Sequence, residues 1–325
     1  MKQNFISELY FKKSDLIKRV DKILGVIKQE TDFLPEKIIQ KSSWWNSKHI
    51  GAIHYAGFWK NKPAILKIQG VKPKTSEVEM INSFQQQNKS LIIRSPEIYA
   101  VIPWNETLEF EAFVMEGARG EKVSEIDDFF DLYKEYRANC LNQPWIDKPE
   151  ISLAEQTQNN FEKWKKISAE LHPNHPLKKP GDLEIVNKGV SVLTEKLKDV
   201  DWQFQHGHFS LKDLNTVENN QVILLSNLYW SWRMPFYDAV FGFHWHQYDL
   251  ASSSDVSLSE LLLERESWKK YIRENIPQNE AELNLLNLAF LERAIAGINL
   301  DGLISPSDKS EALMEILRKE ILDFT

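Results

Sequence analysis

The side chains with the most chemical reach lie between Gln203 and Asp238. His206 and His208 flank Gly207. Asp213 follows five residues after His208, and Ser226 and Asn227 begin thirteen residues after Asp213. Histidine is neutral near pH 7 and accepts a proton, so His208 is a candidate base. A carboxylate is the natural anchor for a hard divalent ion. Asp213 therefore heads a weak candidate metal site, with the Ser226 hydroxyl and the Asn227 carbonyl as poorer ligands. The intervening sequence can bring these groups together. Residues 213–217 and 221–225 read as two short strands, with Glu218-Asn219-Asn220 as the turn. A second chemistry rests on two His-x-His pairs, His206/His208 and His244/His246, which offer four imidazoles to a transition metal. Phe243, Trp245 and Tyr248 interleave with the second pair and indicate a packed helix, on which residues two apart diverge.

Other elements must position this stretch. Residues 14–29 repeat apolar side chains at helical spacing. From Ile38 to Gly70 the pattern is that of strands. Residues 50–59 and 64–68 are rich in branched and aromatic residues, and Lys60-Asn61-Lys62-Pro63 is a turn. Lys67 lies inside the apolar run Ala64-Ile65-Leu66-Lys67-Ile68, so its ammonium must find an anion or reach water. Residues 75–87 read as a helix capped by Thr75 or Ser76, with Glu77 and Glu79 at its positive end. Two more strands, 95–101 and 109–115, lead into Glu116-Gly117-Ala118-Arg119-Gly120, whose glycines suit a flexible crossing. Beyond it the pattern is helical over 125–140, 153–171, 182–197, 257–276, 280–298 and 307–322. Trp145, Trp164 and Trp268 read as core residues.

The stretch from His206 to Asp238 resembles the catalytic segment of the aminoglycoside phosphotransferase and choline kinase group, relatives of the protein kinases. In that family a His-Gly-Asp turn is followed after four residues by Asn. A hairpin then returns to a magnesium-binding Asp, and a Pro and a structural Asp come later. The spacing matches: position 208 falls on the catalytic Asp, 213 on the Asn, 226 on the metal Asp and Asp238 on the structural Asp. The chemical residues do not match, being His208, Asp213 and Ser226, while His206, Gly207, Pro235 and Asp238 keep the scaffold. The resemblance also implies that Lys67 holds the nucleotide's inner phosphates and that Glu77 pairs with it. The backbone around Glu116 and Ala118 would hydrogen-bond adenine, and residues 45–51 would cover the phosphates, though Gly51 is their only glycine.

The resemblance implies an α+β, bilobal protein-kinase-like fold. An N-terminal helical extension (1–36) would precede an antiparallel-sheet lobe with one helix (37–118) and a helical lobe (119–325) carrying the catalytic-loop-like hairpin. The implied function is that of a pseudoenzyme, with impaired or absent phosphotransfer, that still binds ATP, another nucleotide or a small ligand, magnesium being doubtful. The alternatives are an active ATP-dependent phosphotransferase with rewired metal ligands, acting on a small-molecule hydroxyl, and a histidine-based metal protein.

Bulk properties narrow the classes. A chain of 325 residues can hold two modest domains, and 42% apolar with 27% charged residues is an ordinary globular balance. A formal charge of −7 argues against a dedicated nucleic-acid binder. No apolar run has the length of a membrane span, and Met1-Lys2-Gln3-Asn4 does not open a signal peptide. A single cysteine, Cys140, allows no internal disulfide and makes the cytoplasm the expected compartment. A small molecule or nucleotide is the expected partner, with a protein partner as a further option.

Overall fold

The computed structural model describes residues 14–42, 51–117, 123, 125–141, 143–171, 173–217, 220–301 and 306–325. The chain forms two compact units, and neither is continuous in sequence. The first comprises residues 1–124, 134–143 and 212–228, and the second residues 125–133, 144–211 and 229–325.

The first unit is built on a five-stranded antiparallel sheet. Its strands are β1 (Phe33–Ser42), β2 (Ala52–Trp59), β3 (Lys62–Gln69), β5 (Ile98–Asn105) and β6 (Phe110–Glu116), in the order β1-β2-β3-β6-β5. Strand alternation gives the sheet two different faces. On one, Ile53, Tyr55, Leu66, Ile68, Ala112 and Val114 pack against Val20, Ile23 and Ile27 of helix α1 (Ser14–Glu30). The other carries Ile65, Phe113 and Met115, which pack with Val78 and Ile81 of helix α2 (Glu77–Gln87) and with Leu225. Ser76 caps α2 reciprocally with Glu79, so two otherwise orphaned amides are satisfied. The short strand β4 (Ile93–Arg94) pairs in parallel with β9 (Val222–Leu224), which pairs antiparallel with β8 (Leu214–Thr216). The hairpin expected from the sequence is therefore present, and Leu225 roots it in the same cluster as α2. Glu218 and Asn219 of its turn lie outside the described residues.

The first strand begins at Phe33, five residues before the sequence pattern suggests. Pro35 and the charged pair Glu36-Lys37 hide it. β1 is an edge strand, and its register shifts between Pro35 and Lys37 and again between Ile38 and Gln40. An edge position tolerates a proline that a central strand would not.

The second unit contains helices α4 (Leu153–Leu171), α5 (Asp182–Lys196), α6 (Tyr237–Ser252), α7 (Leu258–Asn275), α8 (Glu280–Ala296) and α9 (Asp308–Phe324). It also holds the strand pair β7 (Gln203–Gln205) and β10 (Ser231–Arg233). Helix α3 (Ile126–Asn139) contributes its first half here. Phe129, Phe130 and Trp268 form its aromatic centre, with Phe209 at 5.5 Å from Phe129. Of the three tryptophans expected in the core only Trp268 is fully buried. Trp145 and Trp164 are half-buried. Among the described residues no helix is long and apolar enough to cross a membrane.

Helix α6 passes directly behind the loop that follows β7. A Cβ on Gly242 would stand 2.3 Å from Phe129 Cζ and 3.0 Å from the Phe209 carbonyl oxygen. Gly242→Ala is expected to destabilise the protein by about 1–3 kcal/mol, read as a lowered melting temperature. An unchanged value would mean that this helix does not back the loop so closely.

Candidate functional site

In the first unit Lys67 and Glu77 form a buried ion pair, at 7% and 3% exposure. An ammonium in an apolar strand needs such a partner, and Glu77 at the start of α2 supplies it. Lys67 stands across from His54 on β2 and Phe113 on β6, so the three share the sheet face opposite α1. Glu111 lies on the same face. Burial raises its pKa, the Glu77 charge adds to the rise, and Lys67 opposes it. His54 is pushed from 6.5 down to about 3, first by burial and then by the Lys67 charge. Its Nδ1 finds no hydrogen-bond partner among the described residues. The sequence reading missed His54, because only strand register shows that it faces Lys67.

Glu116 ends β6. Its side chain receives two hydrogen bonds from Arg94, at 2.7 and 2.8 Å, and one from the Glu97 amide at 3.2 Å. Burial raises the Glu116 pKa, but these bonds outweigh it and the carboxyl sits below its usual range. Arg94 Nε donates to Gln221 Oε1 at 3.1 Å. Arg94 thus ties the end of β6 to the hairpin, a role that no local pattern in the sequence signals. Ala118, the other expected adenine contact, and loop residues 45–50 lie outside the described residues.

Asp213, Ser226 and Asn227 meet at the base of the hairpin. Leu225 N–H donates to the Asp213 carbonyl at 2.8 Å, and Ser226 Oγ donates to Asp213 Oδ1 at 2.5 Å. Asp213 is 4% exposed and Asn227 1%. Asn227 Nδ2 donates to the Leu224 carbonyl at 2.9 Å. Ser226 adopts φ 59°, in the left-handed region that non-glycine residues seldom enter. Magnesium favours several hard oxygens, carboxylates above all. This set offers one carboxylate, with one of its oxygens already taken by a hydroxyl donor. The residues present do not fit that ion.

In the second unit Asp238 is fully buried and accepts the amides of His206 at 3.0 Å and Gly207 at 2.8 Å. Gly207 has φ 77°, and a Cβ there would meet the Tyr229 carbonyl oxygen at 2.5 Å, so only glycine fits the corner. His208 packs as an aromatic ring, 4.6 Å from Tyr229 at 19° and 4.8 Å from Phe241. The histidine-metal expectation is corrected here. His206 stands edge-on to Trp230, His244 to Tyr248, and His246 stacks on Trp268 beside Glu264. Among the described residues no group of three or more His, Cys, Asp or Glu side chains is arranged to hold a metal ion.

No sequence-family model matches the chain, and no curated protein matches it. Solved structures do. A thermostable mutant of the aminoglycoside phosphotransferase APH(4)-Ia, in ternary complex with ADP and hygromycin B, superposes with a TM-score of 0.61 at 10% identity, covering 91% of this chain and 97% of that one. The microcompartment-associated aminopropanol kinase gives 0.60 at 14% identity, covering 93% and 95%. The amicoumacin kinase hAmiN, in complex with AMP-PNP, Ca2+ and Ami, gives 0.54 at 18%, covering 96% of each chain. The chain has an aminoglycoside phosphotransferase and choline kinase-like version of the protein-kinase-like fold, α+β and bilobal.

Two measurements check the geometry of the first unit. His54 is neutral when folded, whereas the unfolded imidazole binds a proton below about pH 6.5. Its contribution to stability is therefore complete above pH 6.5 and falls by up to about 1.4 kcal/mol per unit as the pH drops toward 3. In His54→Gln, denaturation between pH 6.5 and 5, above most carboxylate titrations, is expected to show a flatter acid limb. The parent slope in the variant would contradict the buried placement. Arg94→Ala is expected to lower stability by about 1–2 kcal/mol, since the ion pair is only half-buried. A loss within measurement error would remove Arg94 as the tie.

Proposed function

We propose that this protein is a kinase-fold pseudoenzyme that binds a nucleotide and transfers phosphate slowly or not at all. Lys67, steadied by Glu77, meets the phosphates, and the backbone from Glu116 toward Ala118 meets the base. One observation carries the reading: at the metal position a serine hydroxyl donates to Asp213, the one carboxylate in the set Asp213, Ser226 and Asn227. Phosphoryl transfer depends on metal ions that bridge and neutralise the phosphates, and this arrangement does not favour such an ion. His208 at the base position is held between two rings rather than presented as a carboxylate. Support for nucleotide binding comes from the buried Lys67–Glu77 pair and from structural neighbours that hold ADP or AMP-PNP. The acidic balance of the chain favours a small-molecule ligand over a nucleic acid, and the lone cysteine is in keeping with a cytoplasmic setting.

A second reading keeps activity, with His208 as base and Asp213 as the surviving carboxylate. Asp213 is buried at the hairpin base, which favours this reading to that extent.

Calorimetric titration with ATP, in EDTA and again in excess magnesium, separates the two. The pseudoenzyme reading expects similar affinity in both, no sustained nucleotide turnover, and a loss of about tenfold or more in Lys67→Met. Ser226→Asp is expected to make binding magnesium-dependent. Turnover that vanishes in both His208→Ala and Asp213→Ala would overturn the pseudoenzyme reading in favour of the second.

A further inference from the structure

The second unit contains a cavity of about 320 Å³. This is at the lower end of the range for small-molecule sites, about 300–1,000 Å³. Its walls come from the start of α4, the residues before it, Trp202, β10 and the first turn of α6, with Glu292 of α8. Two of its aromatic rings are fixed. Trp202 Nε1 donates to the Ile151 carbonyl at 3.2 Å, and Trp232 Nε1 donates to the Ile146 carbonyl at 2.8 Å. With the indole N–H groups committed, each ring is anchored before any ligand arrives, which limits the ordering cost of binding. Helix α4 contributes Gln156, Thr157 and Asn160, a polar stripe on a face that would be apolar if it merely packed.

The charged groups decide what such a cavity favours. Arg233 Nε donates to Ser231 Oγ at 2.8 Å, and its guanidinium lies 4.9 Å from the centre of the Tyr237 ring. Among the described residues no carboxylate pairs with it. A guanidinium has five N–H donors, so this one retains most of its capacity. It also stands beside the His206-Gly207 corner: a Cβ on Gly207 would be 3.3 Å from Arg233 Nε. Two carboxylates touch the cavity. Glu292 receives two hydrogen bonds from Arg293, at 2.5 and 2.7 Å, so its charge is already matched. Asp147 is exposed at the edge, where water screens it.

We propose that this cavity binds a compact ligand with a flat or apolar body and one anionic group, the body lying against Trp202 and Trp232 and the anion held by Arg233. The site lies wholly within the second unit and needs no nucleotide, so it stands or falls apart from the pseudoenzyme reading.

Two probes of the same shape and opposite charge test it: phenylacetate and phenethylamine, titrated by calorimetry into the full-length protein without nucleotide. Phenylacetate is expected to bind at millimolar concentration or below, and phenethylamine about tenfold more weakly or not at all. Arg233→Gln should weaken phenylacetate by about tenfold or more, and Arg233→Lys by less, since it keeps the charge without the fork. Asp147→Asn should leave phenylacetate binding intact or strengthen it, a readout that remains if the Arg233 variants fold poorly. The proposal is overturned by phenethylamine binding as tightly as phenylacetate, by neither probe binding at millimolar concentration, or by full affinity in an Arg233→Gln variant that melts like the parent.

Discussion

A carboxylate with no exposure to water must have its charge answered by hydrogen bonds, and in the second unit backbone amides help Asp238 meet that demand. The amides of His206 and Gly207 donate to it, while its own amide donates to Gln205 Oε1. It lies in the first turn of α6, where the helix dipole also favours a negative charge. The turn carrying position 208 is therefore fixed by main-chain contacts and by a glycine corner. Neither depends on the side chain at 208.

The same separation of frame from chemistry holds in the first unit. A buried lysine and a buried glutamate hold each other in place, since removing either strands a charge at a cost of about 3–5 kcal/mol. The fold alone is thus reason enough to keep Lys67 and Glu77 together.

The readable parts of this sequence were those governed by local rules. Strand alternation around Lys67, the Ser76 cap and the hairpin of residues 213–225 are short-range patterns, and each appears in the structure where the pattern put it. What the sequence hid is long-range. Arg94 reaches Gln221 across 127 positions, and His54 faces Lys67 only through strand register. The cavity walls come from segments between Ile146 and Glu292. The edge strand beginning at Phe33 was obscured by a proline and two charges that a central strand would have refused. The histidine pairs show the limit in another way, since identical spacing says nothing about the separate aromatic surroundings that tertiary packing supplies.

The substitutions at the hairpin base also make electrostatic sense together. An aspartate at 226 beside the buried Asp213 would set two carboxylates against each other unless a cation lay between them. A working metal site accepts that strain because the ion relieves it on binding. Here the side chain at 226 is a hydroxyl, and it donates a hydrogen bond to Asp213 instead. The hairpin is then satisfied without an ion, and a cation arriving there would have to displace a charge-assisted hydrogen bond before gaining its first ligand. Ser226 nevertheless remains in the left-handed conformation. The backbone holds a geometry that costs free energy for a serine, which persists only where surrounding structure fixes it. Here the Leu225 anchor in the α2 cluster and the amide bond from Leu225 to the Asp213 carbonyl fix it. Packing on the apolar side of the hairpin thus sets the backbone, while the Ser226–Asp213 hydrogen bond answers the carboxylate on its polar side.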